Sequence, residues 1–401
     1  MDIAIIITIC SLLLLAYAFE ITNAFTKIPS VILLLLLGWL VRQTTVILNI
    51  HVPDFNPLLP IFGTIGLILI VLDGSLELEL NRSQLSVIKN SSLLAIIPML
   101  SLAFFLALLF YYFGHVPYKT ALVNAIPFCV ISSAIAIPSV RNQVKANKEF
   151  IIYESSLSDI FGVLFFNFIA LNEIINSKSV LEFFLQLVLV IIISFVSVLG
   201  LSYMLSRIRH HITFTPIILL VILIYAISKL FHLPALIFII VFGLFLGNLD
   251  DLKRFNWIEK LRPEKLEREV IKFKEITMEA TFLIRALFFI LFGFLMEAKE
   301  IVNLETLPWA LAIIASTMLF RWITLKLTGL PVSPLLFVSP RGLITILLFL
   351  AITPAQAIPL VNKSLIIQTI ILSVFIMMYG LMRGKKTVGE KEPHDVRNIQ
   401  S

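Results

Sequence analysis

Charge is scarce in this chain. Asp, Glu, Lys and Arg make up 14% of its 401 residues, against about 25% in a soluble globular protein. Hydrophobic residues reach 59%, which excludes a disordered chain and a soluble enzyme alike. Cysteine is nearly absent. Cys10 and Cys129 both fall inside apolar runs, so they imply no disulfide framework and no cysteine metal cluster. Histidine is rare too. All 6 lie in loops or near the ends of apolar runs, so general-base chemistry inside a bilayer lacks its usual group. Neither His-Glu-x-x-His nor Gly-x-Ser-x-Gly occurs. The reading is of a protein that is not an enzyme and needs no cofactor.

Long apolar runs are plentiful. A spanning helix needs about 20 apolar residues. Thirteen runs qualify, at 3–23, 28–46, 58–76, 92–113, 117–139, 150–171, 181–206, 212–230, 233–249, 276–296, 308–325, 334–353 and 364–381. The chain therefore reads as an all-α polytopic membrane protein whose partner is the lipid bilayer. The first run is too long, and lacks the basic flank, to be a cleaved signal.

The net charge of +6 is distributed by side, not concentrated as nucleic-acid binding would require. With the N-terminus outside and alternate crossings, 22 of the 31 Lys and Arg fall on the inner side, 6 on the outer and 3 within spans. That asymmetry fits the positive-inside rule. It places the C-terminus in the cytoplasm and the chain in a plasma (inner) membrane. The organisation expected is a first membrane half at 1–249, a charged connector at 250–275 that resembles an amphipathic surface helix, a second membrane half at 276–383, and a polar tail at 384–401. The tail is too short for an attached regulatory domain.

Proline and glycine cluster in two spans. The fifth holds Pro117, Pro127 and Pro138, and the twelfth holds Pro334, Pro340 and Gly342. Interrupted helices in corresponding positions of two halves point to a transporter site. The two lie seven spans apart, and an odd offset inverts the second copy. Spans four to six and eleven to thirteen thus read as inverted repeats.

Ionisable residues inside a span cost about 2.5–3.5 kcal/mol to insert and are functional candidates by default. Asp159 comes first, mid-span in Tyr153-Glu154-Ser155-Ser156-Leu157-Ser158-Asp159. Helical spacing places Glu154 with Ser158, and Ser155 with Asp159, at i, i+4. A carboxylate among hydroxyls suits a monovalent cation, a proton, or both in competition. Glu154 could be a second ion ligand or the partner of a buried arginine; pairing with Arg321, rather than Arg341, is preferred, because an unpaired buried charge is so costly. Arg341, beside the second break, could stabilise facing helix ends or replace a cation in an empty site. Ser132 and Ser133 precede Pro138 and serve either close packing or ion coordination. Weaker candidates are Asp73, which could merely mark the interface, and Arg285, whose partner would be Glu279 or Asp73. Glu20 should snorkel towards water or Lys27.

These residues resemble a known family. Glu154-Ser155-Ser156-Leu157-Ser158-Asp159 is similar to the Glu-Ser-x-x-Asn-Asp signature of the monovalent cation:proton antiporter superfamily. Pro340-Arg341-Gly342 resembles the arginine–glycine segment of its second broken helix, and Phe320-Arg321 the arginine that pairs with the signature glutamate. Ser132-Ser133-Ala134-Ile135-Ala136 resembles the Ser-Ser-Thr-Ala pattern of the potassium-efflux branch. Weaker landmarks match at Ile28-Pro29-Ser30, Leu72-Asp73-Gly74 and Phe288 to Gly293. Two features depart from the pattern: Ser158 stands where the family has Asn or Asp, and Ser132-Ser133-Ala134 replaces the Thr-Asp-Pro of the sodium-exchanger branch.

The resemblance implies about thirteen helices with two crossed broken helices, a homodimer, and an elevator-like movement of the core. It implies a metal site for one monovalent cation, Na⁺ or K⁺, at Asp159, with Ser158, Ser155, Ser133 and Ser132 nearby. One titrating carboxylate implies electroneutral exchange of one cation for one proton. A gated cation efflux channel and a degenerate non-transporting relative are the alternatives.

Overall fold

The computed structural model describes residues 2–26, 28–50, 52–78, 85–140, 145–172, 176–207, 214–230, 236–248 and 263–383. Among these residues the chain is helical throughout, with no strand. The helices are α1 (Asp2–Thr26), α2 (Ser30–Ile47), α3 (Leu58–Glu77), α4 (Leu85–Gly114), α5 (Tyr118–Ala125), α6 (Ser133–Ser139), α7 (Lys145–Leu171), α8 (Ser177–Arg207), α9 (Phe214–Leu230), α10 (Leu236–Gly247), α11 (Pro263–Phe294), α12 (Ala298–Ile301), α13 (Leu307–Thr328), α14 (Leu343–Ala351) and α15 (Lys363–Arg383).

Nine segments among the described residues are long and apolar enough to cross a membrane. The remaining four expected crossings fall on shorter apolar helices, Ile6–Thr22, Ile217–Ser228 and Leu236–Gly247, and on the interrupted segment that ends in α14. The connector divides. Residues 250–262 and the tail 384–401 lie outside the described residues, while the chain from Pro263 already belongs to α11, which runs unbroken through the tenth expected span.

The helices form two bundles that do not follow the order of the chain. α4, α5, α6 and α7 pack with α13, α14 and α15, while α1, α2, α3, α8, α9 and α10 gather around α11. We call these the core and scaffold bundles. α3 belongs to the scaffold and also touches α6, α7 and α14 of the core. In the interrupted segment Tyr118–Ser139, 89% of an 18-residue window is buried, against 11% in Ser177–Ser197 of α8. The broken helix is central and α8 is peripheral.

α2 and α11 approach as closely as backbones allow. A Cβ on Gly38 would overlap the Ile290 carbonyl, and one on Gly293 would overlap the Leu35 carbonyl. Small residues permit such contact where lipid supplies no hydrophobic drive. The C-terminus of α11 ends among cations, as its dipole favours. Arg42 of α2 donates to the Phe294 carbonyl (3.3 Å) and pairs with Glu297 (3.6 Å). Lys363 of α15 donates to the Leu295 carbonyl and pairs with Glu300 (3.2 Å). Gln368 then donates to the carbonyls of Ile301 (3.2 Å) and Asn303 (2.7 Å). Only one residue past α11, the connection is already tied to the core.

Gly293→Val should cost about 1–3 kcal/mol through overpacking, read as a fall in the thermal unfolding midpoint of the detergent-solubilised protein. Gly200→Ala, whose added Cβ meets nothing within 4 Å, should leave that midpoint unchanged or slightly raised. Equal effects would show that the α2–α11 contact is not so tight.

Candidate functional site

The site grows out of two failures of the helical ladder. Pro127 cannot donate a backbone hydrogen bond, and after α5 the chain tightens into a 3₁₀ turn at Ile126–Phe128. The helix resumes only at Ser133, leaving 129–132 unwound. The second break is longer. Gly329 adopts φ +69°, ending α13 with its N–H on the carbonyls of Leu325 and Lys326. That left-handed cap suits glycine, and Pro331, Pro334 and Pro340 follow before α14 begins at Leu343. The expected twelfth span at 334–353 is therefore helical only in its second half.

Backbone groups freed in a bilayer must find partners inside the protein. Here the two breaks and α7 supply them. Ile131 N–H donates to Ser158 Oγ (2.9 Å). Ser132 N–H donates to the Pro340 carbonyl (2.9 Å), joining one break to the other. Ser133 N–H donates to Asp159 Oδ2 (3.3 Å). On the other strand of the crossing, Arg341 N–H donates to Ser373 Oγ (2.9 Å) and Gly342 N–H to Thr345 Oγ1 (3.4 Å). A Cβ on Gly342 would press on Ile135 Cδ1 (2.5 Å) and Ser132 Oγ (2.8 Å), so glycine is needed for the crossing.

Asp159 sits beside this crossing, 2% exposed. Its Oδ2 accepts from both the N–H and the hydroxyl of Ser133. Its Oδ1 is buried and has no hydrogen-bond partner among the described residues. Half of the carboxylate is held and half is open. Ser158 does not touch that carboxylate; its oxygen holds the unwound backbone. Ser155 is buried four residues before Asp159, and its hydroxyl donates to the Ile151 carbonyl (2.7 Å). Ser132 Oγ lies at the crossing, against Gly342.

Two buried arginines flank the site. Arg321 grips Glu154 in a bidentate pair, Nη2 to Oε2 at 2.9 Å and Nη1 to Oε1, with both side chains 1% exposed. Its Nε also donates to the Leu335 carbonyl (2.8 Å), so one guanidinium joins α13, α7 and the second break. Arg341 lies at the end of the 3₁₀ turn. Its Nε donates to the Phe128 carbonyl, Nη1 to the Ser339 carbonyl (3.2 Å) and Nη2 to Thr317 Oγ1 (3.2 Å). A cation there faces the negative end of a half-helix.

The weaker candidates lie elsewhere. Asp73 and Arg285 line a cavity of about 40 Å³ between the bundles, with Glu77, Lys148 and Ser133. Arg285 pairs with Glu20 of α1 (3.3 Å), and Glu20 also accepts from Ser30 (2.7 Å). Glu20 therefore does not snorkel, and Arg285 has a partner the sequence reading did not name. A second cavity, of about 220 Å³, opens between the bundles and includes Pro60 at the start of α3. Thr317, Ser373 and Thr345 were missed. Thr317 alone carried a signal, four residues before Arg321 on one face of α13. Among the described residues no group of three or more His, Cys, Asp or Glu could hold a metal ion, so a cation here would rest on a single carboxylate and neutral oxygens.

Two crossed helix breaks and a buried carboxylate beside the crossing define a secondary-transporter architecture. The chain belongs to the sodium/hydrogen exchanger family: the family model described as the transmembrane sodium/hydrogen exchanger matches residues 9–382. That is a family of transporters, not enzymes. The fold is similar to that of the sodium proton antiporter MjNhaP1 from Methanocaldococcus jannaschii at pH 8, with a TM-score of 0.67, 18% identity, and 95% of this chain and 96% of that one covered. An electron-microscopy structure of the same antiporter gives a TM-score of 0.69 at 18% identity, covering 98% and 99%. No curated protein matches the sequence.

Glu154→Gln and Arg321→Ala should each lower stability by about 3–5 kcal/mol, because each strands a buried charge. The double variant Glu154→Gln/Arg321→Ala should lose less than the sum of the two single losses, as coupled neighbours do. Unfolding in detergent measures both, and strict additivity would mean the pair is not coupled.

Proposed function

We propose that this chain is a secondary active antiporter exchanging a monovalent cation, Na⁺ or K⁺, for H⁺. The observation that carries the reading is the divided carboxylate of Asp159, with Oδ2 held by Ser133 and Oδ1 buried without a protein partner. An open carboxylate oxygen in a dry interior takes a cation or a proton, and neutralising one negative charge leaves room for one of them at a time. Ser133 orients the carboxylate, Ser158 holds the unwound backbone beside it, and Ser132 and Ser155 stand close enough to contribute oxygens after small rearrangements. The Glu154–Arg321 pair stays structural and does not turn over with the ion.

One exchanging carboxylate makes the cycle electroneutral, one cation against one proton. Access alternates by an elevator-like displacement of the core bundle against the scaffold. The two inter-bundle cavities support this: one reaches Ser133, the other opens by Pro60, and both run along α3. The charge asymmetry of the loops supports an N-terminus outside and a C-terminus in the cytoplasm of a plasma (inner) membrane. The working unit is a homodimer.

Proteoliposomes with an imposed pH gradient test the reading. Addition of Na⁺ or K⁺ should dequench a pH dye in the wild type, and Asp159→Asn should abolish the signal while keeping its fold. The apparent KM for the cation should rise as pH falls, with Vmax preserved, because protons compete for the same oxygen. Exchange that persists in Asp159→Asn, or whose rate follows an imposed membrane potential at constant pH gradient, contradicts the proposal. Cation flux without proton countermovement would favour the channel, and no response to any monovalent cation the non-transporting relative.

A further inference from the structure

The larger inter-bundle cavity, about 220 Å³, carries polar side chains with no structural duty. Most hydroxyl and amide side chains on these helices spend their proton on the preceding turn. Thr44, Thr317 and Thr369 donate to the carbonyl four residues back, as do Asn172 and Asn248. Thr64, Asn167 and Tyr225 do not. They come from α3, α7 and α9, line the same cavity, and make no hydrogen bond among the described residues. Polar groups in a mostly apolar pocket are left open this way when a ligand or water takes them.

The chemistry of these groups narrows the ligand. Three neutral oxygens with no carboxylate suit a monovalent cation better than a divalent one, which needs carboxylates. No arginine, lysine or histidine lines the cavity, so an anion has no counter-charge. The volume holds several waters, enough for an ion with part of its hydration. Asn167 lies eight residues beyond Asp159 on α7, about 12 Å along the helix at 1.5 Å per residue. Val163 stands between them and forms part of the cavity wall.

We propose that Thr64, Asn167 and Tyr225 form a neutral-oxygen vestibule that holds the partly hydrated monovalent cation before it passes Val163 to Asp159. The inference rests on the antiporter reading. The vestibule does not titrate, so it sets cation affinity and preference without setting the pH profile, which belongs to Asp159.

The test is the apparent KM for Na⁺ and K⁺ at fixed pH in proteoliposomes, with kcat, pH profile and thermal midpoint measured alongside. Asn167→Leu should raise KM about fivefold, the scale of one lost polar contact. The near-isosteric double variant Thr64→Val/Tyr225→Phe should do likewise without disturbing the fold. Asn167→Asp, which adds a negative charge, should lower KM, and in the neutral variants kcat and the pH profile should stay fixed. An unmoved KM across the set overturns the vestibule, as does a fall in kcat and thermal midpoint with KM unchanged. Those results need an active wild type. A wild type without cation/proton exchange overturns the antiporter reading itself and the vestibule with it.

Discussion

A backbone amide inside a bilayer has no water to turn to, and this protein is organised around that fact. Two helices stop where prolines remove donors, and the groups left over are matched across the crossing instead of along each helix. Ser132 N–H reaches Pro340, Arg341 reaches the Phe128 carbonyl, and Ser158 takes Ile131 N–H. The carboxylate of Asp159 enters the same exchange through Ser133. The candidate site is part of how the breaks are tolerated.

Charge is handled by the same economy. The chain buries few ionisable side chains in its core, and those near the crossing each answer a specific need. Glu154 and Arg321 satisfy each other in two hydrogen bonds and clamp α7 to α13. Arg341 faces carbonyls and a hydroxyl, spreading its charge over the dipoles of two broken helices. Asp159 keeps one carboxylate oxygen, Oδ1, without a hydrogen-bond partner among the described residues. That contrast distinguishes a carboxylate that fastens helices from one able to exchange a ligand.

Much of this was legible in the sequence, for identifiable reasons. A carboxylate in an apolar run is conspicuous, so Asp159 and Glu154 stood out, and prolines marked both breaks. The length of the second break was not legible, because residues 334–353 are apolar enough to read as one span, while Pro334 and Pro340 stand in their first half and the helix begins only at Leu343. Nor was the Glu20–Arg285 pair, which joins helices far apart in the chain. Thr64 and Asn167 were invisible for a different reason. A lone polar residue in a helix ordinarily bonds its own backbone, and only the structure shows that these do not.

The bond from Arg341 to the Phe128 carbonyl joins residues 213 positions apart, and it bears on how the chain is made. The first broken helix leaves the ribosome long before the segment that completes it. Until then the Ser132 N–H and the Phe128 carbonyl lack the partners they have in the finished fold, and hydrocarbon cannot supply them. The early half must therefore wait in contact with water or the insertion machinery, and its final seating in the membrane is a late event set by the arrival of the C-terminal half.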